Sequence, residues 1–179
     1  MPDYRRSRDG RVYFFTVVTY MRQPVLCLDD SISALAETTL EVQQDRPFEI
    51  KAWVILPDHL HAIWELPEGD ADYSARWSLI KKGFTKRFKG RQETAALSRS
   101  RIKRREAGVW QRRFWEHQVR DEPDFRSHVE YIHYNPVKHG LVRSPGEWKH
   151  SSFRRFVDEG LYLADWGGGV VGFEGIGAE

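Results

Sequence analysis

The sequence predicts an α+β sandwich of ferredoxin-like (RRM-like) plan: a four-stranded antiparallel sheet, two helices on one face, and one added helix. Three observations predict it. Runs rich in aromatic and β-branched residues alternate with segments whose apolar residues recur at helical spacing, in the order β-α-β-β-α-β-α. The second and third strands are joined by only Pro57-Asp58, which makes them an antiparallel hairpin. The 179 residues, 40% apolar and 13% aromatic, suffice for one domain with a real core.

Taken in order, residues 11–20 (RVYFFTVVTY) read as a central strand. Asp29-Asp30-Ser31 is placed to cap a helix running to about Asp45, with Ile32, Leu35, Ala36, Thr39, Leu40 and Val42 on or near its buried stripe. Phe48 to Leu56 and His59 to Leu66 are the hairpin strands. Tyr73 or Ser74 opens a second helix to about Lys89, on which Trp77, Ile80, Phe84 and Phe88 share one apolar face. Residues 90–108 read as a polar, Arg-rich loop or short exposed helix, and Val109 to Arg120 as the fourth strand. Asp121-Glu122-Pro123-Asp124 begins the added helix, with Phe125, Val129 and Ile132 as its stripe. Pro136 is expected to kink or end that helix. Residues 148–153 are expected to pack on the body. The expected organisation is one catalytic domain over 1–156 and a flexible Gly-rich tail over 157–179.

Composition excludes several classes. There is no apolar stretch of membrane-spanning length and no signal-peptide core near Met1. Cys27 is the single cysteine, which rules out an intramolecular disulfide and a cysteine-based zinc finger, and a cytoplasmic protein is expected. The net charge of +2 conceals an asymmetry. Between Arg76 and Arg113 there are fourteen Lys or Arg against two acids, Glu93 and Glu106, a net +12 in 38 residues. Such a field beside an acidic remainder predicts a polyanion site. The candidate phosphate contacts are Lys81, Lys82, Lys86, Arg87, Arg101, Lys103, Arg104, Arg105, Arg112 and Arg113.

The chemistry-bearing motif is His59-Leu60-His61. In a strand, residues i and i+2 point to one face, so the two imidazoles emerge side by side and can share one divalent metal. Asn135 is the candidate third ligand; an amide oxygen with two imidazoles suits Mg²⁺ or Mn²⁺ better than a closed zinc site. Tyr131, four residues before Asn135 on the added helix, is the candidate nucleophile, and Tyr134 is its rival. A phenol needs help to react at neutral pH, which a metal at the scissile phosphate would supply. His117, His128, His133, His139 and His150 read as surface or supporting groups. Trp115 could stack on an unpaired base.

Four stretches together, Leu56-Pro57-Asp58-His59-Leu60-His61, residues 110–117 (WQRRFWEH), residues 131–142 (YIHYNPVKHGLV) and residues 148–153 (WKHSSF), resemble the REP-associated tyrosine transposases of the wider HUH single-strand transposase and nuclease group. The resemblance implies the ferredoxin-like fold and a transposase with a single catalytic tyrosine at Tyr131. It also implies a metal held by His59, His61 and Asn135. The implied substrate is a single-stranded hairpin of a repetitive extragenic palindrome, cut and rejoined through a 5′-phosphotyrosine link. A monomer near the nucleoid is expected, with a dimer as the alternative. Three rivals stand at this point. One is a domesticated, non-catalytic hairpin-binding protein. Another is an RNA-binding module of the same topology, and the third is a metal-dependent nuclease that releases free ends.

Overall fold

The structure, a computed structural model, describes residues 10–88 and 109–167. Its strands are β1 (Val12–Val18), β2 (Glu49–Ile55), β3 (His59–Glu65) and β4 (Trp115–Gln118), and its helices are α1 (Asp29–Asp45), α2 (Tyr73–Arg87), α3 (Glu122–Lys138) and the short α4 (Phe153–Asp158). The sheet is antiparallel throughout with order β2-β3-β1-β4, the ferredoxin-like arrangement that the element order predicts.

Strand alternation divides the core in two. Tyr13, Phe15 and Val17 of β1 and Leu60, Ala62 and Trp64 of β3 face α1 and α2, where they meet Leu35, Val42, Trp77, Ile80 and Phe84. Trp64 stacks on Trp77 with ring centroids 4.1 Å apart, and Phe15 packs against both. Val12 and Phe14 of β1 and Ile63 of β3 face the opposite way, against Val129, Tyr131 and Ile132 of α3. The sheet is therefore covered on both faces. In β2, register shifts between Ile50 and Ala52, so Ile50 packs with the α1–α2 core while Ala52 and Val54 join the α3 core.

Several local expectations are corrected. Helix α1 is preceded by Leu28, which makes no side-chain cap; Asp29 and Asp30 lie inside the first turn, where their charge favours the helix dipole. Its buried stripe is Ser31, Ala34, Leu35, Thr38 and Val42. Ile32, Ala36 and Leu40 instead flank a groove of about 320 Å³ beside Trp53 and Ile55 of β2, and Leu40 is 60% exposed. Helix α2 is capped by Asp72, whose side chain accepts from the Ala75 amide at 3.1 Å. The fourth strand is shorter than predicted. Trp110 makes only an isolated bridge to Thr19, and regular pairing with β1 begins at Trp115. Helix α3 passes through Pro136 to Lys138, and Gly140, at φ 68°, follows its end.

The segment after α3 returns to the β2 edge. Trp148 Nε1 donates to the Ile55 carbonyl at 2.9 Å, and the Trp53 amide donates to Ser152 Oγ at 2.9 Å. Tyr162 stacks on Trp166 and packs on Phe156.

Not all of the basic stretch serves a surface. Arg76 is 2% exposed. Its guanidinium forks onto Asp70 at 3.2 and 2.6 Å and donates to the carbonyls of Arg46, Pro47 and Asp72. It ties the end of α1 to the loop before α2. Arg76→Ala is expected to lower unfolding free energy by about 3 kcal/mol in a urea titration, because several acceptors lose their donor at once. Arg76→Lys should recover only part of this, since an ammonium cannot fork.

Candidate active site

The hairpin turn fixes the first histidine. The Leu56 amide donates to the His59 carbonyl at 2.8 Å, closing the turn over Pro57-Asp58. The Asp58 carbonyl accepts from both the amide and the hydroxyl of Thr19, at 2.8 and 2.9 Å. Its carboxylate meets Nδ1 of His59 at 2.7 Å and Arg22 Nη1 at 3.0 Å. Burial pushes the Asp58 carboxyl upward, but hydrogen bonds and charge from His59 and Arg22 outweigh it and hold it below its ordinary value. Met21 and Arg22 adopt left-handed φ of 53° and 51°, an unfavourable conformation for two non-glycine residues in a loop that delivers Arg22 to Asp58.

The second histidine is fixed from β1. Thr16 is the register partner of His61, and its hydroxyl lies 2.9 Å from Nδ1. Both imidazoles are buried and sit 5.0 Å apart, centroid to centroid. With Nδ1 engaged in each ring, Nε2 is the nitrogen that would coordinate a metal.

Helix α3 crosses this face. The Tyr131 ring lies 5.2 Å from His61, and the His139 ring, at the helix C-cap, lies 5.1 Å from His59. Asn135 is midway between them on the same helix face and fully buried. Two strand positions thus face three helix positions spaced by one turn. Asn135 remains helical because α3 continues past Pro136. Tyr131 is fully buried, and Lys138 Nζ donates to its hydroxyl at 3.3 Å. Tyr134 is half-buried beside Gly167, not among these groups.

His117, His128 and His133 fall into two environments, while His150 packs edge-on against Trp148. His117, Asp124 and His128 form a separate group whose ligand atoms all lie within 4.8 Å of one another, a composition able to hold a metal ion. Asp124 is strongly engaged there. Its Oδ2 accepts from the Arg120 amide and guanidinium at 2.9 and 3.0 Å and lies 2.9 Å from His117 Nε2. Burial raises the Asp124 carboxyl, but these bonds pull it down to about 2. Nδ1 of His128 lies 2.7 Å from the Asp124 carbonyl, so that nitrogen carries a proton. His133 is fully buried on another side of α3, with Nε2 2.8 Å from Ser152 Oγ and its ring against Phe156. It is a core group that joins α3 to α4.

The predicted phosphate contacts also divide. Lys82, Lys86, Arg112 and Arg113 are exposed. Lys81 donates to the Gln111 carbonyl at 3.0 Å and lies 5.2 Å from the Phe114 ring centroid, and burial pulls its pKa down to about 8. Arg87 pairs with Glu41 and Glu37 of α1. Arg101, Lys103, Arg104 and Arg105 lie outside the described residues. Trp115 is half-buried against Phe14 and stacked with His117.

The ferredoxin-like sheet, with a histidine pair on one strand and a tyrosine helix laid across it, is the fold of a transposase group. The comparisons identify the group more closely. The chain is 45% identical over 174 residues to the REP-associated tyrosine transposase of Escherichia coli K12, covering 97% of this chain and 95% of that one. It is 43% identical over 169 residues to a relative from Haemophilus influenzae, covering 94% of each. A solved structure, a REP-associated tyrosine transposase bound to a REP hairpin, superposes with a TM-score of 0.74 at 43% identity, covering 97% of this chain and 96% of that one. No family model matches the chain. The chain belongs to the REP-associated tyrosine transposases. Among the described residues, no helix is long and apolar enough to cross a membrane.

Burial pulls the folded-state pKa of His133 down to about 3, helped by the nearby Arg155. The unfolded chain therefore takes up a proton near pH 6.5 that the folded chain refuses. Stability is expected to fall by about 1.4 kcal/mol per pH unit from this group as pH drops from about 6.5 towards 3. The loss should be read as a decline in urea midpoint between pH 7 and 5, reduced in His133→Gln relative to that variant's own value at pH 7.

Proposed function

We propose that the protein is a metal-dependent single-stranded DNA endonuclease and strand transferase acting on REP-like hairpins. In this reading Tyr131 is the nucleophile, and His59, His61 and Asn135 hold a divalent metal, Mg²⁺ or Mn²⁺. The observation that carries it is the facing of His61 and Tyr131, 5.2 Å apart, with Asn135 one turn further along α3. The donor set fits a hard cation, since two imidazoles held through Nδ1 are joined by one amide oxygen. When bound, the metal would neutralise charge on the scissile phosphate.

The residues of the chain would do the rest. Thr16 and Asp58 hold the imidazole planes. Tyr131 Oη would attack phosphorus, forming a 5′-phosphotyrosine link and releasing a 3′-hydroxyl. The link conserves the phosphodiester, so rejoining to another 3′-hydroxyl needs no ATP. With a single tyrosine at the site, cleavage and rejoining would occur in turn. Because α3 packs across its own sheet, a monomer would contain the whole site. Residues 1–156 would form the catalytic unit and 157–179 a tail.

The hairpin substrate is carried over from the related structure bound to a REP hairpin. Lys82, Lys86, Arg112 and Arg113, with Arg101, Lys103, Arg104 and Arg105, would contact its phosphates. Lys81 and Arg87 already serve protein groups and would contribute less. Phosphate contacts position the strand and add salt-dependent affinity but do not read its sequence.

The test is a denaturing gel of the protein with a 3′-labelled single-stranded hairpin. A labelled adduct is expected with Mn²⁺ and not with EDTA. It should vanish in Tyr131→Phe, persist in Tyr134→Phe, and fall sharply in His61→Ala. Cleavage without adduct would mean a hydrolytic nuclease; tight binding with neither would leave a non-catalytic hairpin binder. A double replacement, Arg112→Gln with Arg113→Gln, is expected to lower the slope of log affinity against log salt by about 1 to 2.

A further inference from the structure

Tyr131 is buried, yet a cation reaches its hydroxyl. Lys138 follows it by seven residues, two helical turns, and so shares its side of α3. Lys138 Nζ lies 3.3 Å from Tyr131 Oη and 4.9 Å from the centre of the ring. The two contacts fix the ammonium at the hydroxyl end of the phenol and over its face. Lys138 is exposed, whereas Tyr131 is not, so the pair runs from the surface to the buried hydroxyl. The rings of His61 and Phe14 pack against Tyr131 from the sheet and bring no permanent charge.

We infer that Lys138 is a further catalytic residue, which holds Tyr131 Oη by a donated hydrogen bond and stabilises the charge on that oxygen as its bond to phosphorus forms and breaks. The inference rests on Tyr131 being the nucleophile. In cleavage, the Oη–P bond forms while the bond from phosphorus to the 3′ oxygen breaks; the phenol proton passes to solvent and the 3′ oxygen ends as a hydroxyl. In rejoining, an incoming 3′-hydroxyl attacks phosphorus and loses its proton to solvent. The Oη–P bond breaks, and Oη leaves with the electron pair and is then protonated. In both directions Oη carries most charge when the Oη–P bond is long. An ammonium fixed there acts on the transition state more than on the neutral phenol or the phosphotyrosine ester.

The experiment follows single-turnover adduct formation on a 3′-labelled hairpin with Mn²⁺. It then follows rejoining of the isolated adduct to an oligonucleotide bearing a free 3′-hydroxyl. Wild type, Lys138→Met, Lys138→Arg and Tyr131→Phe are compared at saturating protein, with hairpin Kd and Tm measured alongside. Lys138→Met is expected to slow both steps by about 10 to 100-fold, with Kd and Tm unchanged, and Lys138→Arg to recover most of the loss. Rates within twofold of wild type in Lys138→Met, or a defect confined to Kd, would overturn the inference. An adduct that persists in Tyr131→Phe would overturn the nucleophile assignment and this inference with it, a failure that the Lys138 variants by themselves would not produce.

Discussion

β3 is buried on both faces, and its two-residue period assigns every side chain to one of two cores. Leu60, Ala62 and Trp64 anchor α1 and α2; His59, His61 and Ile63 turn to the face that α3 covers. A slip of one residue in its pairing with β1 would put both imidazoles into the apolar core and Trp64 against α3. The core that α1 and α2 build on Trp64 therefore fixes the registration of the histidines. The stacking of Trp64 on Trp77 and the pairing of Thr16 with His61 are two consequences of the same register.

The second constraint is the path of α3. Asp121 caps it by accepting from the Asp124 amide at 2.9 Å, and Asp124 is held by Arg120 and His117 from the strand end. Val129 and Ile132 seat the middle of the helix, and His133 ties its outer side to Ser152. The helix is thus fixed at its start and along its length, which places Tyr131, Asn135 and Lys138. Among the described residues, His117, Asp124 and His128 form a group on this face able to hold a metal ion. The carboxylate of Asp124 is already taken by a guanidinium, a backbone amide and an imidazole. The rings of His59 and His61 pack against those of His139, at the helix C-cap, and Tyr131, on the helix, respectively.

The sheet, both hairpin strands, the stripe of α2 and the sharing of one face by His59 and His61 were legible in the sequence, because each follows from local periodicity. The parts that were not legible depend on tertiary contact. The acids at 29 and 30 looked like caps, but the chain enters α1 one residue earlier. Lys81 and Arg87 looked like phosphate contacts, but their partners, the Gln111 carbonyl and Glu41, arrive only through folding. Pro136 looked like a stop, yet Asn135 stays in the helix, with its carbonyl accepting from the His139 amide at 3.0 Å. Asp58, Thr16 and Lys138 passed unnoticed. Asp58 could have been found from its place beside His59 in the turn, and Thr16 from the antiparallel register. Lys138 had the two-turn spacing from Tyr131 as its only signal.

The central claim is that the β3 histidines and α3 form one metal-holding site, which paramagnetic NMR tests directly. Mn²⁺ would be titrated into protein labelled at its histidine side chains and at the Asn135 amide. Relaxation enhancement is expected first and most strongly at His59, His61 and Asn135, and should be lost in His61→Ala. Enhancement centred on His117 and His128, and unchanged in His61→Ala, would contradict the account and move the metal to the other group.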